Sequence, residues 1–180
     1  MFDDKLAEAL ANVLLQNGHS IVFAESCTAG LLSASMARIP GVSTVLAGSA
    51  VVYQAETKSA WLNVEPDALQ KHGAVSEQVS QEMAMGAMLK TPQATVAVSV
   101  TGHLGPDAPP DLDGVAWSTV VVAEEGDPTI YSRQLQLRPT VEEANVAGLD
   151  DLTVRRRRQF SAVIEVMEFC LCVLNGSAES

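Results

Sequence analysis

An α/β fold, a single three-layer α/β/α domain with a mixed central sheet over residues 1–180, is predicted by three observations. Helical and strand-like segments alternate through the first half of the chain. The stretch Ala94–Thr101 is apolar nearly throughout, as in a strand covered on both faces. Two further strand-like runs then follow each other with only a turn between them, which adds antiparallel partners to a parallel sheet.

The elements follow in order. Leu6, Leu10, Val13 and Leu14 repeat at helical spacing, and Asn17-Gly18 ends that helix. Ile21 to Ala24 reads as a buried strand. It runs into the small-residue segment Glu25-Ser26-Cys27-Thr28-Ala29-Gly30, and Leu31 to Ile39 reads as a helix stopped by Pro40-Gly41. Val45 to Tyr53 is a second strand, weakened by Gly48, and a short helix follows over Glu56 to Leu62. Pro66 to His72 gives one or two helical turns. Ser76 has the chemistry of an N-cap for a helix carrying Val79, Met83 and Ala87 on one face. Gly102 to Gly114, with three prolines and three aspartates, is a loop. Val115 to Val122 and Thr129 to Leu137 are strands joined by Glu124-Glu125-Gly126-Asp127. Pro139 to Asp151 is ambiguous between loop and helical turn. A long helix runs from about Thr153 to Leu174; its end is apolar nearly all round, so it is either central or covered by a partner chain. Asn175-Gly176 stops it, and a frayed tail is expected from about residue 175.

Composition narrows the function classes. The formal net charge is -11, which argues against nucleic acid or an anionic membrane as partner. No apolar run approaches the roughly 20 residues of a membrane span, and no secretory signal follows the acidic start Met1-Phe2-Asp3-Asp4. Cys27, Cys170 and Cys172 lack framework spacing, and His19, His72 and His103 are scattered. The expectation is a cytoplasmic protein with no metal and no cofactor.

Chemistry concentrates on a few positions. In open α/β sheets ligands bind beyond the carboxyl ends of the strands, where Ser26 lies. Its hydroxyl could serve as nucleophile, with helix-start amides at Cys27, Thr28, Ala29 and Gly30 binding an anion or oxyanion. Alternatively, Ser26 or Thr28 merely caps the helix. A serine needs a base, and Lys58, in the apolar company of Val51, Val52, Ala60 and Trp61, could lose enough basicity to serve. Tyr53 could relay a proton or hold the lysine. The plainer alternative is a solvated lysine and a strand-end tyrosine. Arg155 to Arg158 is the strong cationic cluster; it either sends one arginine into a pocket or forms a solvated helix start paired with Asp150 and Asp151.

Several segments together resemble the nicotinamide-nucleotide amidase family, whose domain also forms the C-terminal part of competence/damage-inducible CinA proteins. Ala24-Glu25-Ser26-Cys27-Thr28-Ala29-Gly30 resembles A-E-S-C-T-G-G, and Ile39-Pro40-Gly41-Val42-Ser43 resembles V-P-G-A-S. Tyr53, Glu56 and Lys58 match Y-S-N-E-A-K, and His72-Gly73-Ala74-Val75-Ser76-Glu77 matches H-G-A-V-S-E unchanged. Thr101-Gly102 and Gly105-Pro106 match T-G-I-A-G-P, while Gly114 and Trp117 match G-T-V-W.

The resemblance implies an α/β/α fold and a homodimer or higher homo-oligomer. It also implies hydrolysis of the carboxamide of nicotinamide mononucleotide, a small-molecule nucleotide substrate. Ser26 and Lys58 would be the catalytic pair, with Tyr53 beside them. Thr101, Gly102 and Arg157 or Arg158 would contact the nucleotide and its phosphate. The chain departs from the pattern at Ala29, at Ala55, at His103-Leu104 and at Asp111-Leu112-Asp113-Gly114, where the family has K-P-V-G. These departures favour either altered specificity or a homologue that binds a nucleotide-like ligand in a regulatory role. The apolar final helix also admits an interaction module.

Overall fold

A computed structural model of the chain describes residues 4–177. The acidic start at residues 1–3 and the last tail residues, 178–180, lie outside the described residues. The helices are α1 (Asp4–Gln16), α2 (Leu31–Met36), α3 (Ala55–Leu62), α4 (Pro66–His72), α5 (Glu77–Lys90), α6 (Val141–Val146) and α7 (Asp151–Leu174). The strands are β1 (Ile21–Glu25), β2 (Leu46–Val51), β3 (Val96–Gly102), β4 (Val115–Val122) and β5 (Thr129–Gln136).

The strands form one sheet in the order β2-β1-β3-β4-β5. β2, β1 and β3 run parallel, and β4 and β5 are added antiparallel. This is the mixed sheet that the sequence predicts. Strands β1 and β3 lie inside it, and both are buried along almost their whole length because helices cover both faces. One core joins α1, α2 and α7 to the sheet through Leu10, Leu14, Phe23, Val98, Met167 and Cys170. The other joins α3, α4 and α5 to the opposite face through Val22, Ala97, Leu62, Val79 and Met83. The result is the expected α/β/α arrangement. It aligns the exits of β1, β2 and β3 at one end, where Ser26 and Tyr53 follow their strands and Thr101 closes β3.

Several boundaries differ from expectation for local reasons. Helix α2 stops at Met36, because the chain tightens into a turn in which the Arg38 amide reaches only to Ser35 O. Val45 closes a short 3-10 turn over Val42–Thr44 instead of starting β2. The ambiguous stretch before α7 contains α6, started by a capping box in which Thr140 and Glu143 satisfy each other's backbone amides. Ser76 caps α5, as its chemistry suggests. The apolar end of α7 is central: Val166, Met167, Phe169, Cys170 and Val173 are buried within the chain, in the core shared with α1. That removes the need for a partner chain to cover it.

Candidate active site

The turn after β1 is organised by a residue to which the sequence reading gave no role. Glu25 is fully buried, and its two carboxylate oxygens accept six hydrogen bonds. Oε2 takes the Thr28 hydroxyl and the Gly30 and Leu32 amides at 2.8–3.0 Å. Oε1 takes the Ser33 amide, the Ser33 hydroxyl and the Ser49 hydroxyl of β2. The carboxylate therefore fills the helix N-terminus that would otherwise attract a ligand anion. It also explains why neither Ser26 nor Thr28 caps α2. The N-cap is Gly30, without a side-chain bond of its own.

The donors left in this turn are few. The Ser26 amide bonds Val100 O, the Ala29 amide bonds Ser26 O, and the Leu31 amide bonds Thr28 O. Among the described residues the Thr28 amide has no acceptor, and the Cys27 amide faces its own thiol. Ala29 sits at φ 52, a left-handed conformation that suits the glycine it replaces. Ser26 itself is 7% exposed, at the lip of the turn.

Lys58 is 1% exposed, and its Nζ donates to Val52 O at 2.9 Å and to Met83 Sδ at 3.4 Å. Among the described residues no acid pairs with it. Burial pulls its pKa down to about 8, with the Cys27 thiol opposing. The unfolded chain thus holds more protons than the folded one between about pH 8 and 10.5, so stability attributable to this group rises with pH across that window. The lysine is a desolvated amine and not a solvated one. Its amine is positioned by the Val52 carbonyl, not by Tyr53. The Tyr53 hydroxyl accepts instead from Arg155 Nη2.

Helix α7 crosses over this end of the sheet with one side facing the strand exits. Arg155 Nη1 donates to Gly105 O at 2.6 Å, and Gln159 Nε2 donates to Cys27 O at 3.2 Å. Arg158, on the same side, is fully buried and forks onto Asp113 at 2.7 and 2.9 Å, while its Nε donates to Pro139 O. Arg157 points away, into a cavity shared with Arg138, Phe160 and Ile164. Neither Arg157 nor Arg158 is thus free at the Ser26 turn, and Asp150 caps the helix through the Thr153 amide while the charge of Arg156 also acts on it. Arg155 is the arginine that reaches the site. Residues 155, 158 and 159 share one helical side, and the burial of Arg158 with the contact of Gln159 to Cys27 is what singles out Arg155.

The remaining expected residues are placed as follows. Thr101 is buried, and its hydroxyl donates to Ala74 O, tying the turn before α5 to the end of β3. Gly102 is needed for packing: a Cβ there would lie 2.5 Å from Ala116 Cβ and 3.3 Å from Cys27 Sγ. Leu104 turns into the core and His103 is half-buried, its pKa lowered by burial against the opposing charge of Asp113. Among the described residues no three His, Cys, Asp or Glu side chains gather as a metal site, and no helix is long and apolar enough to cross a membrane.

The model of the CinA C-terminal domain matches residues 3–148. The chain belongs to the CinA C-terminal domain family. It is 42% identical over 106 residues to a CinA-like protein of Thermotoga neapolitana, covering 59% of this chain and 26% of that one. To a CinA-like protein of Myxococcus xanthus it is 39% identical over 131 residues, covering 71% of this chain and 31% of that one. The chain thus spans about a quarter to a third of the length of these curated relatives. Among solved structures, a CinA superfamily protein from Klebsiella pneumoniae superposes with a TM-score of 0.80 at 24% identity, covering 96% of this chain and 98% of that one. The competence/damage inducible protein CihA from Agrobacterium tumefaciens gives 0.79 at 26% identity, covering 96% and 94%. These likenesses establish the CinA fold for this chain.

Proposed function

We propose that this CinA-family domain hydrolyses the carboxamide of nicotinamide mononucleotide, or of a related pyridine nucleotide, to the carboxylate and ammonia. The observation that carries the reading is Lys58: an amine buried with no counter-ion among the described residues, held by a backbone carbonyl, with its pKa brought down to about 8. At pH 7 about a tenth of it is the free base, against far less for a solvated lysine. The Lys58 amine takes the proton of the Ser26 hydroxyl, and the alkoxide attacks the amide carbon. The amides of Cys27 and Thr28 are the donors left to meet the developing oxyanion. Lys58 returns the proton to the leaving nitrogen, ammonia departs, and water resolves the acyl-enzyme. Ala29 and Gly30 shape the turn, and Thr101 and Gly102 form the facing wall. In this reading the domain acts in the cytoplasm as a homodimer or higher homo-oligomer, needs no cofactor and has no nucleic-acid or membrane partner.

The test is ammonia release from nicotinamide mononucleotide by the wild type, Ser26→Ala and Lys58→Ala. Release that is lost in both variants while both remain folded supports the reading; none from the wild type overturns it.

A second reading is a homologue that binds a nucleotide-like ligand in a regulatory role. What favours it is that Ser26 makes no hydrogen bond to Lys58 among the described residues. Catalytic contacts do tighten on substrate binding, so turnover decides between the two.

A further inference from the structure

The atoms that hold the Lys58 amine can be counted. Nζ donates to Val52 O at 2.9 Å and to Met83 Sδ at 3.4 Å, and among the described residues these are its acceptors. A neutral amine carries two N–H groups and one lone pair, whereas an ammonium carries three N–H groups and no lone pair. Two acceptors therefore satisfy the neutral form completely. They leave one N–H of the charged form without a protein partner in a buried place.

The two acceptors differ in kind. A carbonyl oxygen accepts strongly and a thioether weakly. Sulfur thus orients an N–H without favouring the charged form as a second oxygen would. Met83 is fully buried on α5, and the packing of α5 against α3 sets its distance from the amine. Three residues on, Gly86 shares that side of α5. It lets the helices approach so closely that a Cβ there would lie 2.0 Å from Leu62 O, on the helix that carries Lys58. The titratable group whose charge acts on the amine is the Cys27 thiol, so the turn carrying Ser26 lies beside it.

We propose that Met83 is a positioning residue for the base: its thioether takes the second N–H of a neutral Lys58 and, together with Val52 O, turns the Nζ lone pair towards the Ser26 hydroxyl. The part played in catalysis rests on the amidase reading; the hold on the neutral amine does not. The proton balance follows from the count. Nζ gains the hydroxyl proton as its third hydrogen, which finds no acceptor among the described residues. That hydrogen is the one passed on to the leaving nitrogen, and the amine returns to its two-donor state.

The experiment compares the wild type with Met83→Leu and Met83→Gln by two readouts. The first is the NMR titration of lysine labelled with carbon-13 at Cε; the chain has four lysines, and Lys58→Ala assigns the buried one. The second is ammonia release from nicotinamide mononucleotide as a function of pH. Met83→Leu conserves volume and keeps the core, so it carries the test by itself. It removes an acceptor that serves the ammonium more than the amine, and the Lys58 midpoint should move down. Its kcat at about pH 9, above the lysine pKa, should nonetheless fall about tenfold or more with KM within about twofold, because the lone pair is no longer aimed. Met83→Gln, where folded, offers a strong acceptor, and both the midpoint and the acid limb of kcat/KM should move up. A merely structural methionine would not move the midpoint in opposite senses in the two variants. A folded Met83→Leu protein with the wild-type midpoint and the wild-type kcat overturns the proposal. The two claims separate cleanly. A midpoint that moves as described, with no ammonia released by the wild type, removes the amidase reading and leaves the hold of Met83 on the amine standing. Turnover that ignores Met83→Leu, with an unmoved midpoint, does the opposite.

Discussion

Glu25 shows how one side chain can decide what a turn is able to bind. A run of small residues before a helix suggests open amides, yet here the preceding strand supplies its own carboxylate and occupies them. Replacing Glu25 with Gln puts an amide nitrogen where three donors converge, and the cost should be about 2 kcal/mol or more in unfolding free energy. Urea denaturation measures it, and an unchanged midpoint contradicts the role. Ala29 makes the opposite prediction. A left-handed alanine costs about 1 kcal/mol or more, so Ala29→Gly, despite its looser unfolded chain, should raise stability by roughly 0.5 kcal/mol, readable as a small rise in Tm. The residue types in both places were legible in the sequence as part of one motif. Their division of labour was not, because it depends on Glu25 turning back over α2, and on Ser49 coming from a neighbouring strand to share the carboxylate.

Elements bring the two halves of the site together. Helix α3 carries Lys58, and α5 holds α3 in place at unusually close range: a Cβ on Gly86 would lie 2.0 Å from Leu62 O. Ala is the better helix former by about 1 kcal/mol, but Gly86→Ala must push α3 away from α5. Stability should therefore fall, by about 1–3 kcal/mol as in other overpacked cores, and the Met83 contact to Lys58 should be disturbed with it. Thermal unfolding beside a spectroscopic pKa measurement of the lysine checks both. Helix positions were readable from periodicity, and the N-cap at Ser76 from residue chemistry; the cap at Asp150 came only with the structure. What periodicity could not give was the direction of the arginine run. Four consecutive arginines point four ways, and only the burial of Arg158 and the contact of Gln159 with Cys27 reveal that Arg155 faces the strand exits. The pairing of Arg158 was equally hidden, because its acid, Asp113, lies 45 residues away in a loop.

At the scale of the molecule, that ion pair fastens the departed loop to the last helix. Arg158 is 1% exposed and Asp113 20%, so the acid at the valine position of the family's K-P-V-G pattern is spent on a buried arginine. Asp113→Ala should cost about 3–5 kcal/mol by leaving the guanidinium uncompensated. Asp113→Ala combined with Arg158→Met should recover much of it; denaturation of the single and double variants tests the coupling. The sheet does the rest of the work. Parallel strands β2, β1 and β3 deliver Tyr53, Ser26 and Thr101 to one edge, while β4 and β5 complete the layer away from the site. That much followed from the alternation of elements along the chain. The account as a whole turns on a neutral Lys58 acting on Ser26. It is tested most directly by the pH dependence of ammonia release from nicotinamide mononucleotide. The account predicts a kcat/KM that rises about tenfold per pH unit below the lysine pKa and levels near pH 8, with both Ser26→Ala and Lys58→Ala inactive though folded. A flat profile, or activity that survives loss of the Lys58 amine, contradicts it.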